Sequence, residues 1–279
     1  MALRSLIIVC LVLCAGCRSE PGVHAAHPEI RQVDAGIAVY VGGQLDGYEQ
    51  LQRMGFRSVI DVDATTPQDG KALDLKIVHL PLRYSGITSD EARLLADAID
   101  SMERPIYVHC HHGTNRAPVA AAVGLVGTGE WTPDHGMRLL ERSGTDRAFA
   151  GLYDAVASSS VIPPEERLSI DEVDFRVEAL PVLMAEIDES WSVLKEEVHR
   201  GRPADDAAAR SAALVDLLRV AFDGDANMES DSYRALADQV VVQATALEHA
   251  LRNDRFDRLQ SLVDAVGASC TACHRQHRN

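Results

Sequence analysis

The sequence predicts two folded units in series: an α/β domain with helices on both faces of a central sheet, then an all-α four-helix bundle. Three observations predict it. Across residues 32–156, short β-branched runs alternate with amphipathic stretches. From residue 169 onward, apolar residues step by three and four and no run reads as a strand. Between the two lies ASSSVIPPEERL, residues 157–168, a Pro-, Ser- and Glu-rich linker. At 279 residues the chain is too long for one small core and comfortable for two domains.

The first 17 residues stand apart. Met1–Ser5 carry one Arg, Leu6–Leu13 are continuously apolar, and small residues follow. That is the grammar of an export signal, with an apolar run too short to span a bilayer. Its end, LCAGC, resembles a bacterial lipobox, in which Ala15 and Gly16 precede a cysteine that becomes lipid-modified. The resemblance implies lipidation at Cys17, although Cys14 stands where Leu is usual. Cleavage near VHAA (residues 23–26) would instead release a soluble periplasmic protein. Residues 18–31 read as a linker.

In the α/β domain, IAVYV (37–41), SVIDV (58–62), KIVHL (76–80) and IYVHC (106–110) read as strands. DGYEQLQRMG, EARLLADAIDSM and APVAAAVGLV read as helices. Thr88 with Glu91 forms a capping box, so the second helix starts near Ser89. In WTPDHGMRLL, Thr132 is the expected N-cap and Pro133 the first helical residue.

Four helical seams follow the linker. The first runs Val177, Leu180, Met184, Ile187, Trp191, Leu194 and Val198, with Pro181 as a kink or first-turn residue. The second runs Ala208, Ala212, Val215, Leu218 and Phe222, and the third Tyr233, Leu236, Val240, Ala244, Leu247 and Leu251. The fourth runs Phe256, Leu259, Val263, Val266 and Cys270, and its face is expected to continue into Cys273, His274 and His277. Antiparallel packing around one core is the economical arrangement.

Charge excludes one class of partner. Asp and Glu number 42 against 27 Lys and Arg, so nucleic acid is not expected, since phosphate backbones need a basic footprint. Of the six cysteines, Cys10, Cys14 and Cys17 lie in the leader, and Cys110, Cys270 and Cys273 suggest chemistry rather than a disulfide framework.

Cys110 opens the most informative stretch. In VHCHHGTNR, Cys110 and Arg116 flank five residues between a strand and a helix. A loop on a helix N-terminus aims backbone N–H groups inward and adds the positive end of the helix dipole. A phosphate fits such a nest, with Arg116 gripping two oxygens. The same field is expected to favour the Cys110 thiolate as nucleophile. Gly113 supplies the bend that wraps the anion. His111, His112, Gly113, Thr114 and Asn115 are the candidate substrate-binding residues, and His109 is expected to orient the loop. A metal cluster of His109, Cys110, His111 and His112 would need adjacent side chains to converge, whereas zinc ligand pairs are usually spaced by two residues or more.

This pattern resembles the signature of cysteine-dependent phosphatases of the dual-specificity type, over residues 32–156. The resemblance implies a phosphocysteine intermediate on Cys110, with Arg116 holding the transferring phosphoryl group. Two departures stand out. Ala117 occupies the place where that family commonly has Ser or Thr, and the loop LPLRYSGITSDE lacks the family's proton-donating Asp in its middle, where Ser85 and Gly86 lie. Asp90, Asp61 and Asp63 are the candidate acids.

At the other end, Cys270-Thr-Ala-Cys273-His274 matches the attachment motif of c-type haem. With its flank LVDAVGASCTACHRQHR it resembles the cytochrome c-prime family over residues 170–279. That resemblance implies a covalent haem c on Cys270 and Cys273, His274 as axial iron ligand, and Met184 as candidate distal ligand. With Met184 bound the iron suits electron transfer; without it, binding of a small gas. A zinc alternative would use Cys270, Cys273 and His274 or His277, completed by His249 or His199.

The expected protein is thus a periplasmic enzyme, membrane-anchored if lipidated, that hydrolyses phosphomonoesters and carries a redox or gas-sensing haem domain. The alternative is a haem electron carrier or sensor whose first domain only binds phosphate or another anion. Expected partners are a phosphorylated protein or small phosphomonoester, a redox partner or diatomic gas, a membrane through the lipid, and a second copy in a homodimer.

Overall fold

The computed structural model describes residues 29–65, 73–171, 180–201, 203–223 and 230–277. The export signal, Cys17, His24, His27 and Val177 lie outside the described residues.

Strands β1 (Arg31–Asp34), β2 (Ile37–Gly42), β3 (Ser58–Asp61), β4 (Lys76–His79) and β5 (Ile106–His109) form one sheet in the order β1-β2-β5-β3-β4. Only β1 runs antiparallel, hairpinned onto β2; the other neighbours are parallel. The sequence reading missed β1, because RQVD is a short polar edge segment with one buried side chain, Val33. β3 and β5 are buried along their whole length, as central parallel strands covered on both faces should be.

Helix α1 (Glu49–Met54) covers one face with Leu51, Met54 and Tyr48 against Phe56, Val59 and Tyr107. On the opposite face lie α2 (Ser89–Ser101), α3 (Arg116–Thr128), α4 (Pro133–Ser143) and α5 (Ala150–Ala157), packed on Val39, Val41, Ile60, Ile106 and Val108. The Thr88–Glu91 capping box forms as expected. Thr132 precedes α4, but its hydroxyl pairs with His135 rather than capping the backbone. α5 is an addition to the expected elements; its eight residues are too few for periodicity to announce them. α3 is apolar all round, and it lies buried from Arg116 to Gly127.

Residues after α5 run back over this domain. Ile162 N–H bonds Gly127 O, and Ile170 packs into the α/β core. The rest is helical: α6 (Leu180–His199), α7 (Ala207–Phe222), α8 (Asp231–Arg252) and α9 (Leu259–His277). Each packs on the next and α9 returns to α6, around a core of Leu183, Trp191, Leu194, Val215, Leu247 and Val266. Pro181 sits in the first turn of α6, where its missing N–H costs nothing. Phe256, expected in the fourth seam, is 57 % exposed because a short 3-10 turn over Phe256–Arg258 breaks the helical phase before α9.

α7 is buried on two faces. Leu214, Val215 and Leu218 face the helical core, while Ala209 and Ala212 pack into the α/β core. The small Ala side chains allow close approach, and the same face continues into Asp216 and Arg219, which point at the C-terminal ends of β3 and β5. Among the described residues, no helix is long and apolar enough to cross a membrane.

Candidate active site

Cys110 follows β5 directly, and Arg116 is the first residue of α3, so the intervening loop caps the helix as expected. Gly113 takes φ +71°, and a Cβ there would lie 2.1 Å from the Gly42 carbonyl carbon. Only glycine permits both the bend and the approach to the end of β2. That approach is pinned by Gln44 N–H donating to His111 O at 3.1 Å and by Arg31 donating to Gly113 O at 2.7 Å. Arg31 lies on β1, the strand the sequence reading missed.

The loop's backbone acts on the sulfur: the N–H groups of Ala117 and Gly113 lower the Cys110 thiol. Cys110 is nonetheless 1 % exposed. Burial raises its thiol, outweighing the lowering by Arg116 and those two N–H groups. In this arrangement desolvation opposes the thiolate that the loop's positive field was expected to favour.

Arg116 is fully buried. Its guanidinium donates to Leu82 O at 3.2 Å and to Asp63 at 3.0 Å, lies 2.7 Å from Asp216, and stacks over the Tyr84 ring at 4.7 Å. Arg219 completes a closed ring of alternating charge, 2.9 Å from Asp63 and 3.4 Å from Asp216. Burial works against ionised Asp63, yet Arg116 and Arg219 together hold it well below the usual carboxylate range. Asp216 goes the other way, raised by burial and by neighbouring Asp63 in spite of Arg116.

The remaining expected residues divide. His109 is buried, with Nε2 3.0 Å from the Tyr48 hydroxyl, which also donates to Asp61 at 3.1 Å. That chain orients the base of the loop. His111 Nδ1 lies 3.3 Å from Gln44 Oε1, and His112 Nε2 lies 3.5 Å from Glu248 of α8. Thr114 O accepts from the Thr145 hydroxyl, and Asn115 Oδ1 accepts from Asp146 N–H. The Asn115 side chain is thus committed to the loop preceding α5. Asp90 lies exposed in the first turn of α2, paired with Arg93 at 3.2 Å. Asp61 is tied to Tyr48 and to Asp63 N–H. Of the three acids considered, only Asp63 reaches Arg116. Asp216, Arg219 and Glu248 were not anticipated; the available signal was that AAARSAALVDLLRVAF is apolar on nearly every side, which requires a second burying surface.

At the far end, Cys270 and Cys273 are half-buried against the helical core and form no disulfide. Met184 packs half-buried on the same core. His274 is exposed, a correction to the expected face: a helical step of ~100° beyond Cys273 carries it toward solvent. His277 returns inward, edge-on to the Tyr233 ring at 5.2 Å. Among the described residues, no three His, Cys, Asp or Glu side chains gather as a metal-ion site.

Residues 21–124 match the model of a family described as a dual-specificity-type protein tyrosine phosphatase fused to NAD+ kinase. Over those residues the α/β domain is similar to cysteine-dependent phosphatases of the dual-specificity type. Among solved structures, P. aeruginosa TpbA is 17 % identical, with a TM-score of 0.38, covering 47 % of this chain and 91 % of its own. A variant of TpbA in complex with phosphotyrosine is 18 % identical, with a TM-score of 0.35 and coverages of 51 % and 99 %. Human DUSP28 is 13 % identical, with a TM-score of 0.35 and coverages of 47 % and 95 %. No curated protein matches the chain.

Proposed function

We propose that the chain is an exported enzyme that hydrolyses phosphomonoesters through a phosphocysteine intermediate and carries a covalent haem in a C-terminal four-helix bundle. The observation that carries the catalytic reading is the placement of Cys110 directly after β5 and of Arg116 at the head of α3, on one loop bent at Gly113. With substrate seated and the Cys110 proton released to solvent, the thiolate attacks phosphorus, the P–O bond to the leaving group breaks, and Arg116 neutralises the equatorial oxygens. Water then attacks phosphocysteine, the P–S bond breaks, and phosphate leaves with the thiolate restored. No carboxylate occupies the middle of the 80–91 loop, so aryl phosphates, whose leaving oxygens need little protonation, are the preferred substrates. A phosphotyrosine side chain belongs to that class.

Two half-buried thiols one helical turn apart, beside the exposed imidazole of His274, suit thioether attachment of haem c with His274 as axial ligand. Met184, on the same apolar core, is the candidate distal ligand. Bound haem would supply electron transfer or binding of a diatomic gas. Export through residues 1–17, with lipid on Cys17, places the chain in the periplasm, where such haem is attached.

Hydrolysis of p-nitrophenyl phosphate by the full-length protein, lost in Cys110→Ser, tests the catalytic reading. Activity indifferent to that substitution would leave the domain as an anion binder. In-gel peroxidase staining of denatured protein, exported alongside haem-attachment machinery, tests the haem; an unstained band removes it.

A further inference from the structure

The ring of Asp63, Arg116, Asp216 and Arg219 takes two members from each unit. All four are buried or nearly so, and the charges alternate, so the ring is neutral and each charge has two opposite neighbours. This explains how four charges tolerate desolvation. It also consumes the group a substrate needs: the Arg116 guanidinium is committed to Asp63, Leu82 O and the α7 carboxylate. Cys110 and Arg116 have almost no surface left for an incoming phosphate.

The contact is one of several along the same seam. Ala209 and Ala212 pack into the α/β core beside it. Glu248 of α8, fully buried, lies 3.5 Å from His112 and 2.8 Å from Arg252, which also approaches Asp146 at 3.6 Å. Arg83, in the loop between β4 and α2, pairs with Glu186 of α6 at 3.2 Å. The helical region thus grips the phosphate loop, the loop before α2 and the loop before α5 together.

We propose that the helical region holds the phosphatase domain in a self-inhibited state, with the Asp216 carboxylate standing on Arg116 where the substrate's phosphoryl oxygens would bind, so that turnover requires α7 to withdraw. A carboxylate is a fair stand-in, because guanidinium grips carboxylate and phosphate through the same fork of N–H groups. The reading rests on the proposed phosphatase activity. Asp216 is a plug rather than the missing proton donor for a geometric reason: in an in-line displacement the leaving oxygen lies opposite the sulfur, whereas an ion pair with Arg116 places a group among the equatorial oxygens. The raised thiol of buried Cys110 agrees with a resting rather than a working site.

The test uses the full-length chain and two readouts. One is hydrolysis of p-nitrophenyl phosphate; the other is alkylation of Cys110 by iodoacetate, followed by peptide mass mapping, which needs no catalysis. Asp216→Asn removes the charge at nearly constant shape, and Arg219→Gln is a second variant that opens the ring without touching Arg116; circular dichroism checks that each remains folded. Both variants should alkylate faster and raise kcat/KM by roughly tenfold or more. A fall in kcat for Asp216→Asn with unchanged alkylation would make Asp216 the proton donor and overturn the plug. Unchanged alkylation and unchanged hydrolysis in both variants would overturn it too. Faster alkylation in variants that never hydrolyse the ester would uphold the plug on Cys110 while removing the phosphatase reading beneath it.

Discussion

Asp216 and Arg116 meet at 2.7 Å across the boundary between the helical region and the α/β domain, and both are buried. Neither residue would tolerate that position alone. The pair, with Asp63 and Arg219, converts four costly buried charges into a neutral cluster.

That dependence can be measured. Arg116→Gln leaves Asp63 and Asp216 facing each other with Arg219 as their common cation. The expected loss of stability is about 3–5 kcal/mol, because an uncompensated buried charge remains. Urea denaturation of the full-length protein reads it. A loss below ~1 kcal/mol would place the cluster in the class of solvated pairs.

Gly113→Ala tests the loop itself. The new Cβ would meet the Gly42 carbonyl carbon at 2.1 Å on a backbone already at φ +71°. Strain and displacement of β2 together should cost ~2–4 kcal/mol. A variant that melts like wild type would sink this account of the turn.

Acid should weaken the fold through the histidines of the loop. Burial first, then the charges of Arg219 and His112, hold His111 down to about 4 from the usual 6.5. His109 is lowered in the same direction, again by burial first. A base depressed on folding binds fewer protons folded than unfolded, so stability is full above pH 6.5 and falls as pH drops toward 4. In His111→Gln, the decline of Tm over that window should be shallower. Parallel curves for the two proteins would count against a shifted His111.

For the C-terminal motif, Cys270→Ala with Cys273→Ala should abolish covalent haem staining while the helices persist by circular dichroism. His274→Ala should keep the stain and alter the absorption spectrum, since the thioethers remain and the axial ligand is gone. Staining that survives loss of both thiols would exclude attachment there.

The elements that could be read in advance share a property. The strands at 37–42 and 106–109, the Thr88–Glu91 box and the positions of Cys110, Gly113 and Arg116 all express themselves within a few residues of chain. β1 and α5 escaped because four polar residues and eight mixed ones are too short to show a period. Phe256 and His274 were misplaced because a short 3-10 turn and one helical step shift the face, which spacing alone does not record.

By itself the sequence determined where Cys110, Gly113 and Arg116 fall, on the turn between a strand and the helix that follows it. It also determined that helices follow. The tertiary structure alone decided what faces Arg116. Periodicity marks a helix face as buried, but not against what, and α7 carries two such faces. Docking one of them on the α/β core brought Asp216 and Arg219 to Asp63 and Arg116, because only a distant segment with opposite charges could neutralise groups that folding had already removed from water.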